Sequence, residues 1–227
     1  DVLPEFCRSF EKARHLGHDR KQFLKDTQKT VNNVYVPSLY NVMYSTESRI
    51  QSITPVEAGL PEKIRINHVK NIDDFPTEEM ISASGTEMED MFLIEVNRGC
   101  ARSCRFCAAS FVYRPVRFRS STEIFASINR GLQRKKKIGL VGTAVSDHPD
   151  LISICEGIIA QKAQVGLGSM RIDRINEKIV DLIKQSGIET VALAPEAGSQ
   201  RMRDILRKDI TEADITTAAE LLAKKDI

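Results

Sequence analysis

Glu95-Val96-Asn97-Arg98-Gly99-Cys100-Ala101-Arg102-Ser103-Cys104-Arg105-Phe106-Cys107 is the stretch on which the fold turns. Its cysteines, Cys100, Cys104 and Cys107, follow a C-x3-C-x2-C spacing that delivers three thiolates within eight residues. Soft thiolates select iron-sulfur clusters, zinc or cuprous copper. Electron-transfer clusters and structural zinc sites take four protein ligands, yet Cys7 lies 93 residues before the triplet and Cys155 48 residues after it. A zinc site would call for a second C-x2-C or a paired His, and His15, His18, His68 and His148 have no such spacing. The pattern suits a 4Fe-4S cluster with one iron left open. The alternative is a non-catalytic iron-sulfur or zinc module whose site is closed by Cys155 or by a partner protein.

Around the cysteines the chain is periodic. From Met91 onward it reads as strand-helix units, the signature of a parallel sheet with helices outside. Strands are expected at Phe92 to Val96, Ile138 to Gly142, Val165 to Gly168 and Thr190 to Ala194, the last three starting 27 and 25 residues apart. Ser120 with Glu123 predicts a capping box, followed by Ile124, Ile128 and Leu132 on one helical face. Asp147 and Pro149 open a second helix with Leu151, Ile154, Cys155 and Ile158 inward. A third is expected from Asn176 to Ser186, stopped by Gly187. Ser199 caps a short fourth helix, and Thr211 with Asp214 starts a fifth.

The cysteine stretch, including the aromatic Phe106 just before the third cysteine, resembles the cluster loop of radical S-adenosylmethionine (SAM) enzymes. Tyr113-Arg114-Pro115-Val116-Arg117-Phe118-Arg119-Ser120 and Ala194-Pro195-Glu196-Ala197-Gly198-Ser199 resemble the branch associated with a cobalamin-binding domain. The resemblance implies an α/β fold, a partial parallel (β/α) barrel of the radical SAM type. It also implies that the open iron chelates the amino and carboxylate groups of SAM, and that the reduced cluster donates one electron to the sulfonium. The resulting 5′-deoxyadenosyl radical would take hydrogen from a substrate the sequence does not identify. A reductase, or a flavodoxin or ferredoxin, is the implied electron donor. Such barrels usually have six strand-helix units; four here imply a truncated core with an open strand edge. The cobalamin motif's histidine is absent, so cobalamin belongs to a full-length parent.

Chemistry in parallel barrels lies at the C-terminal ends of the strands. The second such segment is Gly142-Thr143-Ala144-Val145-Ser146-Asp147-His148, where many family members carry Gly-Gly-Glu to hold the methionine amino group. Its absence leaves backbone carbonyls near Gly142 and Thr143 as substitutes. His148, between Asp147 and Pro149, reads as part of a helix cap or as a proton donor. After the third strand, Ser169 and Arg171 are placed near the cofactor, because Arg can engage a carboxylate bidentately; a pairing with Asp173 or Glu177 is the competing role. Glu196 is positioned to accept hydrogen bonds from ribose hydroxyls or the ligand's amino group, against a structural salt bridge. Phe106 and Met170 are candidates to pack on adenine.

Residues 1–88 lack the period and are expected to form an N-terminal α+β linker or accessory region, with 89–227 as the radical SAM core. Helices are expected near Pro4 to Arg14 and Arg20 to Lys29, then strands Tyr40 to Tyr44 and Arg49 to Ile53 about the turn Ser45 to Ser48. Pro55, Pro61 and Pro76 punctuate an extended connection. No apolar run reaches the roughly 20 residues of a membrane span, no signal peptide opens the sequence, and clustered free cysteines fit a reducing, cytoplasmic compartment. Net charge is only +2, against a dedicated nucleic-acid binder. Yet Arg98 to Lys137 holds eleven Lys or Arg against one acid, Glu123. That stretch prompts a second reading, a tRNA-modifying methylthiotransferase, beside the plain one of a solvated helix end plus arginines that offset an anionic cluster.

Overall fold

The computed structural model describes residues 2–66, 68–168 and 170–227. They form two compact units, Asp1–Val69 and Lys70–Ile227. The division falls before the connection expected to end near residue 88, because residues 72–79 pack on β3.

In the first unit, α1 (Val2–His15) and α2 (Arg20–Thr30) meet through Phe23, whose ring receives Phe6 and Phe10 edge-on at 5.6 and 5.5 Å. Asp19 caps α2 by accepting from the Gln22 N–H at 2.7 Å, as short acceptors do for the orphan donors of a first turn. Strands β1 (Tyr40–Tyr44) and β2 (Ile50–Pro55) pair antiparallel. Behind them Val36, Leu39, Tyr40 and Leu60 form a small core.

The second unit carries a four-stranded sheet in the order β4-β3-β5-β6: β3 (Met91–Arg98), β4 (Arg117–Phe118), β5 (Lys137–Gly142) and β6 (Gln164–Leu167). β3, β5 and β6 run parallel, and β4 joins β3 antiparallel. This is the parallel half-barrel that the strand spacing predicts. The free edge of β3 is covered by β4 and by Thr77–Glu79: Glu95 donates to the Thr77 carbonyl at 3.0 Å and Glu79 to the Leu93 carbonyl at 2.9 Å. An exposed edge of unpaired amides is thereby capped.

Helix α3 (Ala109–Val112) lies within the cysteine loop. Helices α4 (Ser121–Leu132), α5 (Leu151–Ala160) and α6 (Glu177–Gln185) follow the strands, and α7 (Gln200–Leu206) and α8 (Glu212–Ala223) complete the unit. Ile94, Ile124, Ile128, Ile138, Leu140 and Ile154 are fully buried between sheet and helices. Truncating Ile94 to Ala is expected to cost about 2–5 kcal/mol, measured as a lowered denaturation midpoint with unchanged slope.

Three expectations are corrected. Among the described residues Thr190 to Ala194 is not a regular strand: Leu193 meets Met170 in an isolated parallel bridge, so the period places the segment but one rung does not make a ladder. The Ser120 capping box is half made. Ser120 Oγ accepts from the Glu123 N–H at 3.3 Å, but the Ser120 N–H donates to Asp73 at 3.0 Å and Glu123 pairs with Arg130. Asp147 sits in a one-turn 3-10 helix ahead of α5 rather than at its cap, drawn away by arginines. The box at Thr211 and Asp214 is complete. Among the described residues no helix is long and apolar enough to cross a membrane.

Candidate active site

The cysteine loop leaves β3 at its C-terminal end, and two polar contacts fix its first residues to β5. Buried Asn97 donates from Nδ2 to the Gly99 carbonyl at 3.0 Å and accepts on Oδ1 from the Ala144 N–H at 3.3 Å. Thr143 Oγ1 accepts from the Gly99 N–H at 3.0 Å. Glycine is required twice. Gly99 adopts φ +83° and a Cβ there would lie 2.2 Å from the Tyr113 carbonyl oxygen; at Gly142 one would lie 2.1 Å from Asn97 Oδ1. Gly142 and Thr143, expected near the ligand's amino group, are exposed at this strand end and already serve to dock the loop.

All five cysteines are free. Cys104 is buried and Cys100 and Cys107 are half-buried; the Arg102 N–H points at Cys100 Sγ at 3.4 Å. Burial pushes the Cys104 thiol up from its ordinary pKa, and the charges of Lys208 and Arg171 oppose that rise. The donor set fits a soft-metal cluster. Among the described residues no three Cys, His, Asp or Glu side chains gather round a point that could hold one metal ion. A cubane takes each thiolate on a different iron, so its ligands need not converge in that way. Cys155 is a core residue of α5, 1% exposed, its thiol pushed up to about 12 by burial. Cys7 lies on α1 in the other unit.

A charge network anchors the middle of the loop. Arg102 grips Asp147 with Nε at 3.2 Å and a terminal nitrogen at 2.9 Å, and Arg174 shares the same carboxylate at 2.9 Å. Burial raises the Asp147 carboxyl, but the two arginines outweigh it and hold the group below its usual range. Its contribution to stability is therefore full above the unfolded carboxylate pKa and is lost as pH falls through the lower folded value. Asp147→Asn should cost about 1.5–3 kcal/mol at neutral pH and flatten the acid limb of the stability curve, measured by urea denaturation from pH 7 to pH 3.

Arg171 pairs with Asp173 at 2.8 Å and donates to the carbonyls of Lys208 and Asp209. Glu196, at φ +67°, pairs with Lys208 at 2.9 Å. Met170 is core, Phe106 is 52% exposed, and Ser169 lies outside the described residues. His148 is buried: Nδ1 accepts from the Asp150 N–H at 3.1 Å, which leaves Nε2 to donate to the Arg119 carbonyl at 2.9 Å. Both ring nitrogens are committed to backbone, so of the two roles open to His148 the cap is the one observed.

The basic stretch is not a bare cationic strip. Arg98, Arg102, Arg130, Lys135 and Lys137 each pair with an acid outside it: Glu95, Asp147, Glu78, Glu79 and Asp90. Arg119 is fully buried and holds backbone carbonyls. Sequence reasoning did not single out Asn97, Lys208 or these ion pairs, whose members are distant in the chain and carry no local motif.

The profile of the Radical SAM superfamily matches residues 94–227. The chain belongs to the radical SAM superfamily. An uncharacterized protein of Methanocaldococcus jannaschii is 31% identical over 190 residues, 81% of this chain and 42% of its own length. The anaerobic magnesium-protoporphyrin IX monomethyl ester cyclase of Cereibacter sphaeroides is 26% identical over 140 residues, 57% of this chain and 22% of its own. The chain thus spans less than half the length of these curated relatives. The half-barrel also superposes on the radical SAM methyltransferase TsrM of Kitasatospora setae, solved with cobalamin and a 4Fe-4S cluster. The TM-score is 0.50 at 12% identity, over 60% of this chain and 29% of that one. This radical SAM protein is built on the partial parallel barrel that its resemblance to the family implies.

Proposed function

We propose that Cys100, Cys104 and Cys107 hold a 4Fe-4S cluster with one iron left open for SAM. The observation that carries this reading is three free thiols on one loop at the C-terminal end of β3, docked to β5 by Asn97 and Thr143. A cluster held there by Cys100, Cys104 and Cys107 would supply the one electron needed for reductive cleavage of SAM. The protein's share is positioning. The Arg102–Asp147 clamp and the Gly99 contacts hold the loop, while carbonyls near Gly142 and Thr143 stand at the next strand end. Glu196, Ser169 and Arg171 are the proposed cofactor contacts, with Phe106 against adenine. An electron comes from a reductase or a flavodoxin- or ferredoxin-type donor. Cobalamin of a longer parent protein would be held by other residues, since His148 is committed and no cobalamin-type histidine motif is present.

Anaerobic reconstitution should give about four irons per chain and, under dithionite, 5′-deoxyadenosine from SAM. Protein that takes up one metal ion and cleaves no SAM would instead be a zinc or non-catalytic module. Glu196→Ala should weaken SAM binding by one to two orders of magnitude, from a charged hydrogen bond worth about 1.5–3 kcal/mol. Calorimetric titration of the reconstituted protein measures it; unchanged affinity with a lowered melting temperature would leave Glu196 a purely structural partner of Lys208.

A further inference from the structure

The residues after α7 return to the cysteine loop, although nothing in their sequence marks them. Arg105 donates its N–H to the Leu206 carbonyl at 2.9 Å, which pins the loop between Cys104 and Cys107 to the end of α7. Arg207 closes that helix in the left-handed region at φ +53°. The chain thereby turns Lys208 inward, and its side chain is only 12% exposed. The Lys208 ammonium lies 5.7 Å over the ring of Phe106, the residue immediately before Cys107. It is oriented by Glu196 Oε1 at 2.9 Å, and its own carbonyl accepts from Arg171 at 3.2 Å. A flexible lysine is thus held by a carboxylate, an aromatic face and two backbone contacts, the second from its own N–H to the Arg203 carbonyl at 3.0 Å. That arrangement costs side-chain entropy and places a fixed positive charge against the loop that carries the thiols.

We propose that Lys208 sets the charge environment of the cluster, its ammonium favouring the reduced state, with Glu196 and Phe106 as the residues that position it. The inference rests on the assignment of the cluster to Cys100, Cys104 and Cys107. Reduction adds one negative charge to the cluster, and a nearby fixed cation in a partly desolvated site stabilises that added charge. Lys208 is the largest of the charges acting on the Cys104 thiol, ahead of Arg171, and Arg102, which also faces Cys100, is committed to Asp147. Lys208 is likewise matched by Glu196, so the pair is adjustable: any ligand that took the Glu196 carboxylate would leave the ammonium uncompensated and make reduction easier still.

The test is a potentiometric titration of the reconstituted protein without SAM, followed by electron paramagnetic resonance, with iron content measured on the same samples. Lys208→Met should lower the ratio of reduced to oxidised cluster about tenfold at a fixed potential, a midpoint shift of about 59 mV for a one-electron couple. Lys208→Arg should restore the wild-type midpoint, and Glu196→Gln should move it upward. A wild-type midpoint in Lys208→Met at unchanged iron content overturns the inference while leaving the cluster assignment intact. Should Lys208→Met fail to retain iron, Glu196→Gln decides: an upward shift supports the inference and an unshifted midpoint overturns it. A wild-type protein that takes up no cluster removes the assignment itself.

Discussion

Cys104→Ala is expected to abolish the broad visible absorption of the reconstituted protein and with it all SAM cleavage. Three thiolates are the fewest that hold a cubane with one open iron, and Cys104 is the most buried of them, flanked by the loop's anchors at Arg102 and Arg105. Cys7→Ala and Cys155→Ala should keep the absorption. Cys7 is exposed on α1, and Cys155 packs in α5 with its thiol pushed up to about 12, far from the thiolate a metal needs. Cys155→Ala removes a buried sulfur and should lower the melting temperature without changing iron content. Loss of iron in either outer variant would show a four-cysteine site and overturn the three-ligand assignment. Ultraviolet-visible spectra and iron analysis on the three variants, prepared in parallel under anaerobic conditions, make the comparison.

Arg119→Met should be the most destabilising single change outside the apolar core. Its side chain is wholly buried and donates to three backbone carbonyls: Glu95 at 2.9 Å, Phe75 at 3.3 Å and Ile72. It also faces the Glu95 carboxylate at 3.4 Å. Burial raises the Glu95 carboxyl, yet the hydrogen bonds and charge of Arg98, with Arg119 contributing, hold it below its usual range. Methionine fills much of the volume but leaves those acceptors without a donor, a loss of about 3–5 kcal/mol for one member of a buried pair. For a chain of this size that lowers the melting temperature by roughly 10 °C. Exposed Arg105→Met is the control, expected within about 0.5 kcal/mol of wild type. Equal melting temperatures for the two variants would mean that the segment at Ile72–Phe75 is held by its backbone pairing alone.

The same two residues mark what could be read from the sequence. The C-x3-C-x2-C triplet is a short-range pattern whose chemistry follows from residue type and spacing, so the soft-metal reading and the family needed no coordinates. Periodicity likewise located β3, β5 and β6, because a buried parallel strand must be apolar and must recur after each crossover helix. Caps at Ser199 and Thr211 were legible because a cap acts across three residues. The fourth strand failed by the same logic: period positions a segment, but pairing depends on its neighbours, and among the described residues Leu193 alone finds one.

Arg119 was invisible for the opposite reason. It stands in a basic stretch that suggests surface charge, and only the return of residues 72–75 across β3 turns it into a buried donor. Asn97 with Gly142, Arg102 with Asp147, and Lys208 beside Phe106 are likewise pairs separated by some forty to a hundred residues. The sequence by itself determined the three-thiol spacing that carries the proposed cluster and the strand-helix period, because both rest on spacing within a turn or a repeat. The tertiary structure alone decided which charges are matched, which histidine is spent on backbone and which lysine faces the cluster loop, because long-range proximity is set by how the chain closes on itself and leaves no local trace.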